Sequence, residues 1–363
     1  MAITAPNIDI SFKQKANTAV ERSERGYAIL IIRDDTVTTS YVEYNGIDEV
    51  DSSDYTSNNY QYIKDMYTFA PYKVCVVRIA SADTNISDAL TIVKQNVKTG
   101  WIGIADGTSV DFETLSSWIA TQDDTNKETY KSVVYKATSA PDNMHVVNFV
   151  NDYVIFSDTT RGKQAGVEYI PSLIAILAKC NITQGCNYFK CSNLSSVVEV
   201  PNNATALTNG QFVLINDGEY VRILRGINSM TTTNGSTKTE DMKEIEVVEA
   251  IDIMLDDIRT TFKDDYLGKY KNKYDNQVLF ISAVNSYFKS LEDEGVLDDE
   301  YDNISYINVV AQRNAWIGVG KTEASTWTDA QVKQNAFKKS LFLSANAKVL
   351  ESFVDLDFVI NLD

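Results

Sequence analysis

Three short stretches of this chain are apolar at nearly every position rather than at every second one. Residues 27–32 read Tyr-Ala-Ile-Leu-Ile-Ile, residues 73–80 contain Val-Cys-Val-Val, and residues 101–105 form a third run. A strand with no polar face needs cover on both sides, which is the environment of a parallel sheet flanked by helices. The intervening sequence supplies the cover. Residues 87–97 carry Leu90, Val93 and Val97 at helical spacing, with Asn85 or Ser87 as a cap, and residues 110–121 carry Leu115, Trp118 and Ile119. Residues 132–137, 144–150 and 153–156 are again strand-like, and a helix with proline in its first turn follows over 171–179. This alternation predicts an α/β sandwich domain over residues 26–200.

The second half has a different pattern. After a polar stretch at 181–209, residues 210–225 predict a hairpin turning at Asn216-Asp217-Gly218. Residues 244–262 predict an amphipathic helix with Val248, Ile251, Leu255, Ile258 and Phe262 inward, stopped near Gly268. Residues 276–294 predict a second helix, with Phe280, Val284, Phe288 and Leu291 inward and Gly295 as its stop. A strand at 304–310 and a last helix at 329–350 complete an α+β domain over 201–351.

Both ends alternate with period two. Ile8, Ile10 and Phe12 alternate with polar residues within a first segment, 1–25, that reads as an arm and a linker. Val354, Leu356, Phe358, Ile360 and Leu362 do the same within 352–363, Val359 being the exception. Such segments are strands with one face meant for burial. They can join the chain's own sheet or the exposed edge of another copy, and the residues alone leave both open.

Composition narrows the function. The chain carries 33 Lys and Arg against 50 Asp and Glu, a net charge of −17, which opposes binding to nucleic acid. No apolar run is long enough for a membrane span, and the start lacks the basic-then-apolar pattern of a signal peptide, so synthesis in a cytoplasm is expected. Cys75 lies in a strand-like run, and the spacing of Cys180, Cys186 and Cys191 fits no common zinc pattern, so neither metal nor cofactor is expected. The one histidine, His145, lies in a strand and has no nucleophile elbow beside it; Gly318-Val-Gly-Lys321 lacks the first glycine of a phosphate loop. No catalytic residues are predicted. Residues 330–350 contain no acidic residue, and Lys333, Lys338, Lys339 and Lys348 form a local basic patch there, either a solvated face or an attachment surface.

The stretch 205–297 resembles a known family. Arg225-Gly-Ile-Asn-Ser-Met-Thr-Thr232, a following helix with Asp257-Ile-Arg259 that ends in Tyr266-Leu-Gly-Lys269, and Tyr287-Phe-Lys-Ser-Leu291 before Gly295-Val-Leu297 resemble, in this order, the C-terminal part of contractile phage tail sheath proteins. The chain is compact for that family, as in a phage or an R-type, phage-tail-like bacteriocin of a Gram-positive host. The resemblance implies an outer N-terminal domain and a C-terminal domain facing an inner tube. It implies extended terminal strands exchanged between subunits, stacked six-membered rings, and contraction that drives the tube through a cell envelope. The implied partners are other copies, the tube protein, and baseplate and tail-terminator proteins, with no nucleic acid and no membrane insertion. The four lysines then become candidates for tube attachment. The alternatives are another self-assembling shell or surface-layer protein, and less readily an α/β enzyme.

Overall fold

The computed structural model describes Val20 and residues 26–137, 141–180, 182, 184–356 and 358–359. The chain is of mixed α/β class and divides into two compact units, one of residues 24–252 with 351–363 and one of residues 1–23 with 253–350.

In the first unit the strands are β1 (Tyr27–Arg33), β2 (Tyr41–Tyr44), β3 (Lys73–Ile79), β4 (Gly100–Ile104), β5 (Tyr130–Tyr135), β6 (Val146–Phe149), β7 (Tyr153–Phe156), β8 (Lys163–Ala165), β9 (Leu194–Val197), β10 (Gln211–Phe212), β11 (Leu214–Asn216) and β12 (Val221–Ile223). The main sheet has seven strands in the order β10-β6-β5-β4-β1-β3-β2, parallel except for the edge strand β2. The continuous apolar runs occupy its middle, and Ile29 to Ile32 are wholly buried. Helices α1 (Ser57–Tyr67), α2 (Ser87–Asn96), α3 (Ser109–Thr121) and α4 (Ile170–Lys179) supply the cover, and α5 (Asn203–Thr208) precedes β10. Gly100 and Gly103 let neighbours approach closely: a Cβ at Gly103 would lie 2.7 Å from Ile170 and 2.9 Å from Ile174 of α4. The expected hairpin forms as β11–β12, with Asp217 accepting from the backbone N–H of Glu219 and Tyr220 and Gly218 at φ +97°. Its first residues peel away instead, and Phe212 pairs with Phe149 at the edge of the main sheet.

Helix α6 (Ile245–Thr261) carries the division between the units. Its inward face differs from the expected stripe. Val248 is buried, but Leu255 is 49% exposed, while Glu249, Asp252 and Asp257 are buried. The carboxylates turn inward because each finds a partner, as described below.

In the second unit α7 (Tyr274–Asp293) buries Phe280, Val284, Phe288 and Leu291 as expected, and Gly295 follows it at φ +72°. Strand β13 (Ile304–Ile307) is shorter than expected and leads into α8 (Val309–Gly318). The single helix expected over 329–350 does not form. A short α9 (Asp329–Gln334) ends at Asn335, Lys338 takes φ +42°, which no helix tolerates, and β14 (Leu343–Asn346) pairs antiparallel with β13.

Candidate assembly surfaces

The C-terminal segment starts from a defined root. Ser352 donates through its hydroxyl to Glu246 Oε1 at 2.8 Å and through its N–H to Glu246 Oε2 at 3.3 Å. Arg225, the first residue of the Arg-Gly-Ile-Asn-Ser-Met-Thr-Thr motif, donates to Glu244 at 2.7 Å and faces Asp355 at 3.7 Å. The rest of the motif is a strap. Asp142 accepts from the backbone N–H of Thr231 and Thr232 at 2.7 and 2.8 Å, and Asn228 donates to the Met242 carbonyl at 2.7 Å. Burial alone would raise the Asp142 carboxyl, but these hydrogen bonds outweigh it and bring its pKa to about 2.

Beyond the root the described residues of the segment are largely exposed. Phe353, Leu356, Phe358 and Val359 are 104%, 88%, 72% and 73% exposed, and Val354 is 42% exposed. None of residues 351–356, 358 and 359 joins a sheet. The period-two run therefore does not pair with its own subunit over these residues. Ile8, Ile10, Phe12, Ile360 and Leu362 lie outside the described residues.

Within the second unit, β13 and β14 form a sheet of two strands among the described residues. The Asn308 N–H donates to Phe342 O, which identifies the residue pairs that exchange hydrogen bonds. Counting along the register, Ser305 and Ile307 turn their backbone groups outward on β13, and Leu343 and Ala345 do so on β14. The two edges differ. Asn285 of α7 accepts from the Ser305 N–H at 2.7 Å and blocks the outer edge of β13. No described strand pairs with the outer edge of β14.

The lysines do not share one helix face. Lys333 is in the last turn of α9, Lys338 and Lys339 are exposed in the following loop, and Lys348 pairs with Asp298 at 2.7 Å. Lys321 of the Gly-Val-Gly-Lys stretch sits over the rings of Trp316 and Trp327, at 5.2 and 5.1 Å. This is a packing role.

Sequence reasoning missed a buried charge network in the first unit. Lys131 of β5 reaches Asp252 at 2.8 Å and Glu249 at 3.3 Å, and the Trp101 indole donates to Glu249 at 2.9 Å. His145 bonds Asp252 through Nε2 at 3.0 Å, and its Nδ1 faces Asp123 at 3.5 Å. Burial would depress the His145 pKa, but the charge of Asp252 and the contacts to Asp123 and Asp252 prevail and raise it to about 9. Glu249 and Asp252 stand three apart on α6, so this network fixes the rotation of the helix against the sheet. The i, i+3 acidic pair was visible in the sequence; its partners, more than a hundred residues away, were not. All four cysteines are buried free thiols, and burial pushes Cys75 up to about 11.

Known proteins resemble this chain in sequence and in fold. Residues 237–363 match the family described as phage tail sheath C-terminal domain. The chain carries a tail sheath domain. It is also similar throughout to the tail sheath protein of Clostridium phage phiCD119, 24% identical over 367 residues, covering 98% of this chain and 99% of that protein. Among solved structures, the helical sheath of the anti-feeding prophage in its contracted state aligns with a TM-score of 0.70 at 13% identity, covering 99% of each chain. The sheath tail protein from Desulfitobacterium hafniense aligns with a TM-score of 0.67 at 13% identity, covering 83% of this chain and 94% of that one. These likenesses establish a sheath-protein fold around the sheath domain. The resemblance read from residues 205–297 is thereby upheld.

Proposed function

We propose that this chain is the structural subunit of a contractile tail sheath. Copies stack as six-membered rings around an inner tube, and the sheath passes from a metastable extended lattice to a compact one, driving the tube through a target envelope. The particle is a phage or bacteriocin tail assembled in the host cytoplasm, meeting a tube protein, a baseplate and a terminator. The role is mechanical rather than catalytic.

The observation that carries this reading is that the chain holds both an unused strand and an unused edge. The segment from 353 onward is large and apolar at alternate positions, and its described residues join no sheet and are largely exposed, while β14 turns the backbone groups of Leu343 and Ala345 toward an edge that no described strand covers. Strand addition between copies answers both needs. Main-chain hydrogen bonds give strength, and the alternating face sets register. The N-terminal arm, with Ile8, Ile10 and Phe12, is a second donor of the same kind. A contact passed head to tail in this way propagates instead of closing as a dimer. The bonds persist during the transition, which lets subunits swing without dissociating.

Lys333, Lys338 and Lys339 are the lysines left for the tube, since Lys348 is engaged with Asp298. Exposed ion pairs contribute about 0–1 kcal/mol each, as suits a contact that is released on firing.

Electron microscopy of the intact chain and of a chain lacking residues 352–363 tests the proposal. Hollow tubes or ring stacks are expected from the first and not from the second. Equal assembly by both would refute arm exchange through this segment.

A further inference from the structure

A small aromatic cavity lies in the second unit, on the approach to β14. It holds about 100 Å³, room for one large apolar side chain. Its walls are Phe262, Tyr266, Tyr270 and Phe280: Tyr266 and Phe280 meet edge to face at 4.7 Å, and Tyr266 and Tyr270 lie 5.3 Å apart. Leu267 and Tyr270 at its border are 61% and 41% exposed. Lys271 and Lys339 also line it, and Leu341 stands two residues before β14.

One polar group in this lining is incomplete. Asn272 donates through its amide to the carbonyls of Phe337, Lys338 and Ser340 at 3.2, 3.2 and 3.0 Å. That fixes its oxygen as the acceptor for Gln277 Nε2, at 2.7 Å. The orientation of Gln277 follows, and its Oε1 is left with no donor among the described residues, although the residue is 2% exposed. A buried acceptor without a donor is destabilising, so a site that supplies a backbone N–H here gains more than apolar contact alone.

We propose that this cavity is the anchor for the C-terminal arm of a second copy, receiving Phe358, with an arm backbone N–H donating to Gln277 Oε1. The inference rests on the arm-exchange reading and locates where the arm is gripped. Three features select this occupant. The cavity takes a single large side chain, and Phe358 belongs to the alternating set and is 72% exposed. Residues 353–356, 358 and 359 belong to no helix or sheet, which leaves their backbone N–H groups for a partner. Its polar positions are Asp355 and Asp357, opposite in charge to Lys271 and Lys339. The position next to β14 lets one arm pair with the strand edge and seat a side chain beyond it.

The test is site-specific cross-linking in assembled particles made from two differently tagged chains. One carries Tyr270→Cys and the other Phe358→Cys; the native thiols are all buried and do not compete. A parallel pair, Ala345→Cys with Leu356→Cys, probes strand addition on β14. With a short bismaleimide, a covalent species carrying both tags is expected from each pair and from neither single variant. Coupling at 345–356 without coupling at 270–358 overturns the anchor and leaves strand addition standing. Coupling at 270–358 alone keeps the anchor and removes β14 as acceptor. Failure of both pairs in intact particles removes both.

Discussion

Replacing Leu356 and Phe358 together by serine isolates the energy of the arm. Both belong to the alternating face, and at 88% and 72% exposure they have almost all of their apolar surface still to bury. Full burial of such side chains is worth about 1.5–3 kcal/mol each, so roughly 4 kcal/mol is lost for the pair after scaling to the exposed fraction. At about 1.4 kcal/mol per tenfold, the arm's affinity for its acceptor falls by about a thousandfold. Neither residue packs on its own subunit, so thermal unfolding of the monomer stays where it was. The assay is the critical concentration for assembly, read by sedimentation. Val359→Ser is the discriminating control. Val359 is 73% exposed and as greasy as its neighbours, but it has the opposite parity and stays in water when the strand docks. If Val359→Ser raised the critical concentration as much as the Leu356 and Phe358 changes, the arm would be a sticky tail and not a registered strand. If the double variant assembled like wild type, the arm would not be a donor at all.

Two further outcomes are expected. His145, whose pKa rises from 6.5 to about 9 on folding, contributes roughly 3 kcal/mol that is present in full below pH 6.5 and is lost as pH climbs through 9; the urea midpoint of wild type therefore falls across that window, while that of His145→Gln starts lower and changes much less, and parallel pH profiles would refute the assignment. Lys333→Glu with Lys338→Glu leaves sheath assembly intact and loosens sheath from tube, measured as tube retained on sheath pulled down from a lysate; unchanged retention would remove these lysines from the attachment surface.

What the residues revealed in advance was the structure that leaves a local mark. Strands buried on both faces are apolar throughout, and β1, β3 and β4 were legible for that reason. Helix α1 was not, because its buried residues Tyr62, Ile63 and Met66 are mixed with buried Asn59 and Asp65, whose polar groups meet Asp34 and Arg161 elsewhere in the fold. The rotation of α6 depends on Lys131, His145 and Tyr287, and Tyr287 donates to Asp257 at 2.7 Å. No pattern within the helix specifies these partners. The lysine-bearing stretch read as one helix because it lacks acids and prolines. It breaks because Asn272, some sixty residues earlier, holds the carbonyls of Phe337, Lys338 and Ser340 in a non-helical path. The arm was legible for the same reason as the strands: alternation is written in the segment itself. Its acceptor edge is a property of register and could be found only by counting backbone groups along β13 and β14.

An exposed apolar strand is a hazard as well as a tool, because two arms can pair with each other before either finds its acceptor. The charges around it act against that. Pairing two copies of residues 353–359 brings Asp355 and Asp357 of one against the same residues of the other, and like charges on facing positions are destabilising. The root adds to this. Burial and then the nearby Asp241, Glu244 and Glu246 raise the pKa of Glu351, which means that these carboxylates already repel one another with Arg225 as their counter-charge. The acceptor has the opposite character: residues 330–350 contain no Asp or Glu, and Lys339 lines the cavity beside β14. The same acidic residues that make arm-to-arm pairing unfavourable therefore favour arm-to-acceptor pairing. High salt should narrow this difference, since both effects are electrostatic and solvent-facing, leaving the apolar face, which cannot tell an arm from an acceptor, to decide the outcome.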